Sequence, residues 1–124
     1  MTRTAPPVSH LASLLIILSA AVGSRAEETI SFNRDVRPIL ASRCFHCHGP
    51  DENTREADLR LDLREGAFED RGGYAAVVAG EPAASELYRR VAAEDPADLM
   101  PPPDAKLELT KAEKQTLQQW IVEG

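Results

Sequence analysis

The chain has 124 residues and a formal net charge of −6, with 20 acidic against 14 Lys and Arg side chains. That balance excludes nucleic acid as a natural partner, because binding it rests on a basic surface that neutralises phosphates. With 27% charged residues and only six aromatics in all, the composition fits one small domain with a modest apolar supply.

The first 26 residues are set apart from the rest. Arg3 and the free amine make a weakly basic start, residues 11–22 are an unbroken apolar and small-residue run, and Ser24-Arg25-Ala26 is a small-x-small cleavage signal. We therefore expect a signal peptide over 1–26, removed after Ala26. The apolar run is short for a membrane span, which takes about 20 residues, so contact with a membrane is expected only if this segment stays uncleaved as an anchor. Residues 27–124 are left as one domain. Losing Arg3 and Arg25 with no acidic residue takes the formal charge from −6 to −8.

In the mature chain, Ser31 or Asn33 can cap a first helix, after which Phe32, Val36, Ile39 and Leu40 share one face. Pro38 is tolerated only in a first turn, where its missing N–H has no partner to lose, so the helix is expected to start near Arg34. It runs into Cys44-Phe45-His46-Cys47-His48 and is stopped by Gly49-Pro50.

That pentad is a C-x-x-C-H motif, which in an exported protein points to covalent attachment of a c-type haem. Two thiols three positions apart can add to the two vinyl groups of one porphyrin, and the adjoining imidazole of His48 is then aimed at the iron. Because the thioethers fix the ring, the axial bond forms at little further entropic cost. A redox disulfide would be expected after a strand in a βαβ unit, and no such alternation occurs here. A zinc site needs four N or S ligands in tetrahedral array, which four donors within five residues supply poorly. His46 is expected to face solvent. Both cysteines of the chain lie in this motif, so none remains for a structural bridge in an oxidising compartment. A buried porphyrin would add the apolar bulk that the chain lacks, coupling folding to attachment.

Residues 51–73 are charged and punctuated by glycine; the alternation of Leu59, Leu61 and Leu63, followed by Phe68, fits an extended strand-like segment or a loop with three anchors, and the loop is expected. Its arginines, Arg55, Arg60, Arg64 and Arg71, are either a solvated face or partners of the haem carboxylates. A helix is expected over 81–93, with Pro82 in its first turn, acids early, Arg89 and Arg90 late, and Leu87 and Val91 inward.

Leu99-Met100-Pro101-Pro102-Pro103 follows. Three prolines forbid a helix and hold the backbone extended, which presents Met100 at a fixed place. Apart from the start residue it is the only methionine, so it is the expected sixth ligand of the iron. Thr110-Lys111-Ala112-Glu113 is a capping box opening a last helix with Leu117, Trp120 and Ile121 on one face and Leu109 as a staple. Trp120 is expected in the core, where the first and last helices pack over the haem edge.

This order of parts resembles the class I cytochromes c and, within them, the planctomycete-type cytochrome c domain. The likeness runs over nearly all of 29–124: Ile30 to Leu40 leading into Cys44 to Pro50, then Ala57-Asp58-Leu59-Arg60-Leu61-Asp62, Ser85 to Arg90, and Leu99 to Pro103. The resemblance implies an all-α fold, a small cytochrome c-like domain of three or four helices around a covalently attached haem. It implies one haem c per chain on Cys44 and Cys47, with His48 and Met100 as axial ligands to the iron. It also implies an electron carrier rather than an enzyme, working in the periplasm or an equivalent extracytoplasmic compartment with redox partner proteins that present a basic surface. Family members usually carry this domain at the front of a longer chain, so the segment is expected to be an N-terminal module or a stand-alone version. The alternative is a haem enzyme or gas or redox sensor in which Met100 does not ligate and the iron stays five-coordinate.

Overall fold

The computed structural model describes residues 1–5 and 27–124. The expected leader therefore lies, from residue 6 onward, outside the described residues. Among those described, the fold is built from helices joined by long ordered loops, with no strand beyond an isolated bridge between Ala75 and Ser85.

The first helical run starts earlier than the pattern suggests. The Ser31 N–H donates to Asp35 Oδ2 at 2.8 Å while its carbonyl accepts from the Asp35 N–H at 2.8 Å. This exchange starts a single π-helical turn, Phe32–Val36, ahead of α1, Arg37–Arg43. Neither Ser31 nor Asn33 caps through its side chain: the Asp35 carboxylate does that work, with Arg34 beside it holding its carboxyl below the usual range. Pro38 sits in the first turn of α1, as its chemistry requires. Val36, Ile39 and Leu40 are buried. Phe32 is 38% exposed but lies against Trp120, ring centroids 5.6 Å apart.

Cys44 interrupts the helix, and α2, Phe45–His48, is a single turn. Gly49 ends it because the chain passes so close to the Phe45 carbonyl that no Cβ would fit there. The segment after it folds back onto α2 through the backbone: the Glu56 N–H donates to the Cys47 carbonyl at 2.7 Å and the Leu61 N–H to the His48 carbonyl at 2.9 Å. Arg55 adds two bonds of 3.0 Å to the carbonyls of Gly49 and Pro50. Of the three alternating leucines Leu61 is buried, Leu59 partly covered and Leu63 exposed. The loop expected over 51–73 also contains one turn of helix, α3, Arg64–Phe68, where the Arg64 guanidinium stacks 4.8 Å over the Phe68 ring one turn on.

The helix expected over 81–93 is split into a 3₁₀ turn, Pro82–Ala84, and α4, Glu86–Val91. Ser85 is the reason. It is fully buried, and its hydroxyl accepts from the Val78 N–H at 2.8 Å with the Glu81 carbonyl 2.9 Å away as acceptor. The extended strap just before it, Ala75-Ala76-Val77, is also buried and bonds at both sides: Val77 N–H to the Ala67 carbonyl, and the Ala75 and Ala76 carbonyls to the N–H groups of Glu86 and Leu87.

α5, Lys111–Glu123, closes the structure. Its capping box forms as expected, with Glu113 N–H to Thr110 Oγ1 at 3.1 Å and Thr110 N–H to Glu113 Oε2 at 2.8 Å. Leu109, Leu117 and Ile121 join one core with the first helix, Leu61, the strap and α4. Glu113 also reaches Arg43 at the end of α1, 3.2 Å away. Burial pushes the Glu113 carboxyl up, but the Thr110 N–H and the Arg43 guanidinium outweigh it and hold it below its usual range. A depressed carboxylate contributes stability that is complete above its unfolded value and lost as pH falls through its folded one. Glu113→Ala should therefore cost about 1 kcal/mol at neutral pH, and urea titrations should find that gap to the native protein shrinking as the buffer is taken below about pH 4.

Candidate functional site

One cavity of about 470 Å³ opens between the pentad, the loop after it and α4. Cys44, His48 and Met100 all line it, although Met100 lies far along the chain; Leu59, Leu61 and Leu87 supply apolar lining. The size falls within the range of small-molecule sites, roughly 300–1,000 Å³. Cys47 sits on the same short helix as His48, half-buried, and is not among the lining side chains. His46 faces solvent, as expected, and its carbonyl takes the Thr54 hydroxyl at 2.6 Å.

Each of these side chains has a local reason for its place. Cys44 is at the break between α1 and α2, with its N–H bonded to the Leu40 carbonyl at 2.8 Å. Burial pushes its thiol up to about 12, so it is neutral at physiological pH, unlike the activated thiolate of a disulfide oxidoreductase. His48 is the last residue of α2, pinned by its N–H to the Cys44 carbonyl at 2.7 Å and by its carbonyl to Leu61. Its ring is lowered in pKa by burial, which the Glu56 backbone partly offsets, and Nδ1 is sealed from solvent with no group in hydrogen-bond geometry. An orphaned buried nitrogen is rare enough to call for a functional reason.

Met100 rests on α4: its N–H donates to the Arg90 carbonyl at 3.1 Å. Its side chain is 36% exposed. The proline run is only partly extended, because Pro103 begins a 3₁₀ turn through Ala105. Of the four loop arginines, only Arg71 lines the cavity. Arg55 binds carbonyls behind the pentad, Arg60 pairs with Asp62, and Arg64 covers Phe68. Arg71 is anchored by a bond from Nη2 to the Ala57 carbonyl, and its charge is felt at the His48 ring. Arg89, Arg90 and Glu86 reach the same cavity from α4. Their charges followed helix-dipole order in the sequence, and nothing in that order distinguished a rim from an ordinary solvated end. Trp120 does not line the cavity; it packs with Phe32 and Phe68 in the core.

An all-α chain that brings a thiol, an imidazole and a thioether to the walls of one apolar cavity has the build of a small c-type cytochrome. Residues 44–104 match the family model of planctomycete cytochrome C, and this part of the chain is a planctomycete-type cytochrome c domain. The match begins at the first cysteine of the pentad and ends just past the proline run, a narrower span than the likeness over 29–124. Such domains bind haem c and carry electrons. No curated protein and no solved structure matches the chain.

Proposed function

We propose that this domain holds one haem c through thioethers at Cys44 and Cys47, with His48 and Met100 as the two axial ligands, and passes single electrons outside the cytoplasm. The observation that carries the reading is the convergence of Cys44, His48 and Met100 on one cavity. The donor set fits the group: an imidazole nitrogen and a neutral thioether are the pair used by electron-carrying cytochromes c. Metal-bound imidazoles use one ring nitrogen for the metal and usually hydrogen-bond through the other; the buried Nδ1 of His48, left without a hydrogen-bond partner, supports a role for this ring in holding a group.

When bound, the haem supplies the one-electron couple; the chain supplies everything else. With His48 and Met100 both holding the iron, no position on it would be left for substrate, which would favour outer-sphere electron transfer over chemistry at the metal. The uncharged Met100 sulfur favours the ferrous state and raises the reduction potential. Leu59, Leu61 and Leu87 keep water from the ring. Arg71, which lines the cavity and is held by the Ala57 carbonyl, would be the loop arginine able to pair with a haem carboxylate by a charge-assisted bond.

Residues 1–26 act as a cleaved leader in this reading, 27–124 form the working domain, and the compartment is periplasmic or its equivalent. Among the described residues no helix is long and apolar enough to cross a membrane. The partners are redox proteins with a basic surface, drawn by the formal charge of −8 left on the mature chain. Transfer to a basic partner should slow as ionic strength rises, and stopped-flow rates that ignore salt would contradict this part.

The ferric spectrum tests the ligand set. A low-spin form with the iron–thioether charge-transfer band is expected, together with slow and weak binding of carbon monoxide after reduction. A high-spin form that takes up carbon monoxide at once would replace the carrier with a five-coordinate enzyme or sensor.

A further inference from the structure

The loop that carries Met100 is a compact unit. The Asp95 carbonyl accepts from the N–H groups of Asp98 and Leu99, each at 3.0 Å, and Asp95 Oδ1 accepts from the Ala97 N–H at 2.9 Å. Such a turn moves as one piece, so what holds it to the rest of the fold decides where Met100 sits. Arg90 holds it in two ways. Its carbonyl takes the Met100 N–H at 3.1 Å, and its guanidinium reaches across the joint, Nε to Glu86 Oε1 at 2.8 Å on α4 and Nη1 to within 3.6 Å of Asp98 Oδ1 on the turn. Arg89 shares the Glu86 carboxylate at 2.9 Å but makes no ion pair with the turn.

We propose that the Arg90 side chain is a latch that keeps the Met100 loop docked on α4 and so governs how readily a small external ligand displaces the thioether from the iron. The proposal rests on Met100 being an axial ligand. The physical basis is population shift: an external ligand binds only to the fraction of molecules whose loop is open, so its apparent affinity scales with that fraction. The Asp98 end of the latch is 67% exposed, and an ion pair of that kind has a modest effect that salt screens.

The test uses the full-chain ferric holoprotein and imidazole as the external ligand, with affinity read from the absorbance change. At low salt, Arg90→Gln should bind imidazole about threefold more tightly than the native protein, and Asp98→Asn should shift it in the same direction. The double variant should go no further than the stronger single one, and Arg90→Lys should recover part of the native value. In high salt the native protein should move toward the variants, which themselves should barely respond. Equal affinities for native protein, Arg90→Gln and Asp98→Asn at low salt would overturn the latch. If Arg90→Gln fails to fold, an unchanged Asp98→Asn overturns it alone. Met100→Ala separates the two claims: if it opens the site while the Arg90 and Asp98 variants do nothing, only the latch falls. If Met100→Ala leaves spectrum and affinity as they were, the ligand assignment falls with it.

Discussion

Met100→Ala should keep its covalent pigment and lose its electron-carrier character. The thioether is presented from the loop docked on α4 while Cys44 and His48 reach the cavity from the pentad, so removing it should leave attachment at the cysteines intact and open one iron position. The ferric iron–thioether band should vanish and ferrous protein should bind carbon monoxide quickly. The midpoint potential should fall by on the order of 0.1 V, a fraction of the roughly 0.8 V span that axial ligation commands. Only a small loss of fold is expected, because the side chain is 36% exposed and its backbone bond to Arg90 survives the change. Spectroelectrochemistry of the purified variant measures all of this, and an unaltered band would contradict the assignment.

Gly49→Ala should be the most damaging single substitution in the pentad region that touches no ligand. An added Cβ would stand 2.2 Å from the Phe45 carbonyl oxygen and 2.9 Å from its carbon, both backbone atoms of the turn that carries His48. No rotamer relieves a clash with backbone, so either α2 unwinds or the loop leaves it, and the expected cost is about 3 kcal/mol or more. For a domain whose whole stability is of the order of 5–15 kcal/mol that is a large fraction. Gly72 offers the comparison: its φ is +91° but open space surrounds it, so Gly72→Ala should cost only about 1–2 kcal/mol. Urea unfolding of the two variants side by side gives the answer, and a Gly49→Ala midpoint equal to the native one would refute the packing argument.

The sequence made the site legible where chemistry and periodicity act over short distances. The C-x-x-C-H spacing and the lone methionine before three prolines each mark out a candidate within five residues, and Cys44, His48 and Met100 do line one cavity; the Thr110/Glu113 box forms as its spacing suggests, and the inward stripes of α1, α4 and α5 follow from spacings of three and four. What stayed hidden depends on atoms that every residue shares. Ala75-Ala76-Val77 is an ordinary small apolar run, yet its Ala75 and Ala76 carbonyls take the N–H groups of Glu86 and Leu87 at the start of α4, beside the Ser85 hydroxyl whose bond from Val78 splits the helix. The π-helical turn arises from one carboxylate, Asp35, meeting a backbone N–H four residues back, a pairing that competes with capping by Ser31 and wins. Trp120 is expected in the core at the haem edge, but it packs against Phe32 and Phe68 away from the cavity lining, because those aromatic neighbours come from far along the chain. Arg71 differs from Arg55, Arg60 and Arg64 in lining the cavity, held by the Ala57 carbonyl and by Glu69, and the polar pattern of the loop contains no trace of those contacts.

The most direct test joins an intact mass to a haem-stained denaturing gel, on protein expressed in a host with the machinery for covalent haem attachment. The expected product starts at Glu27, carries the mass of one haem and stains red after denaturation, while Cys44→Ser with Cys47→Ser removes both stain and added mass. A colourless, well-folded native chain with the mass of bare polypeptide would contradict the account at its centre.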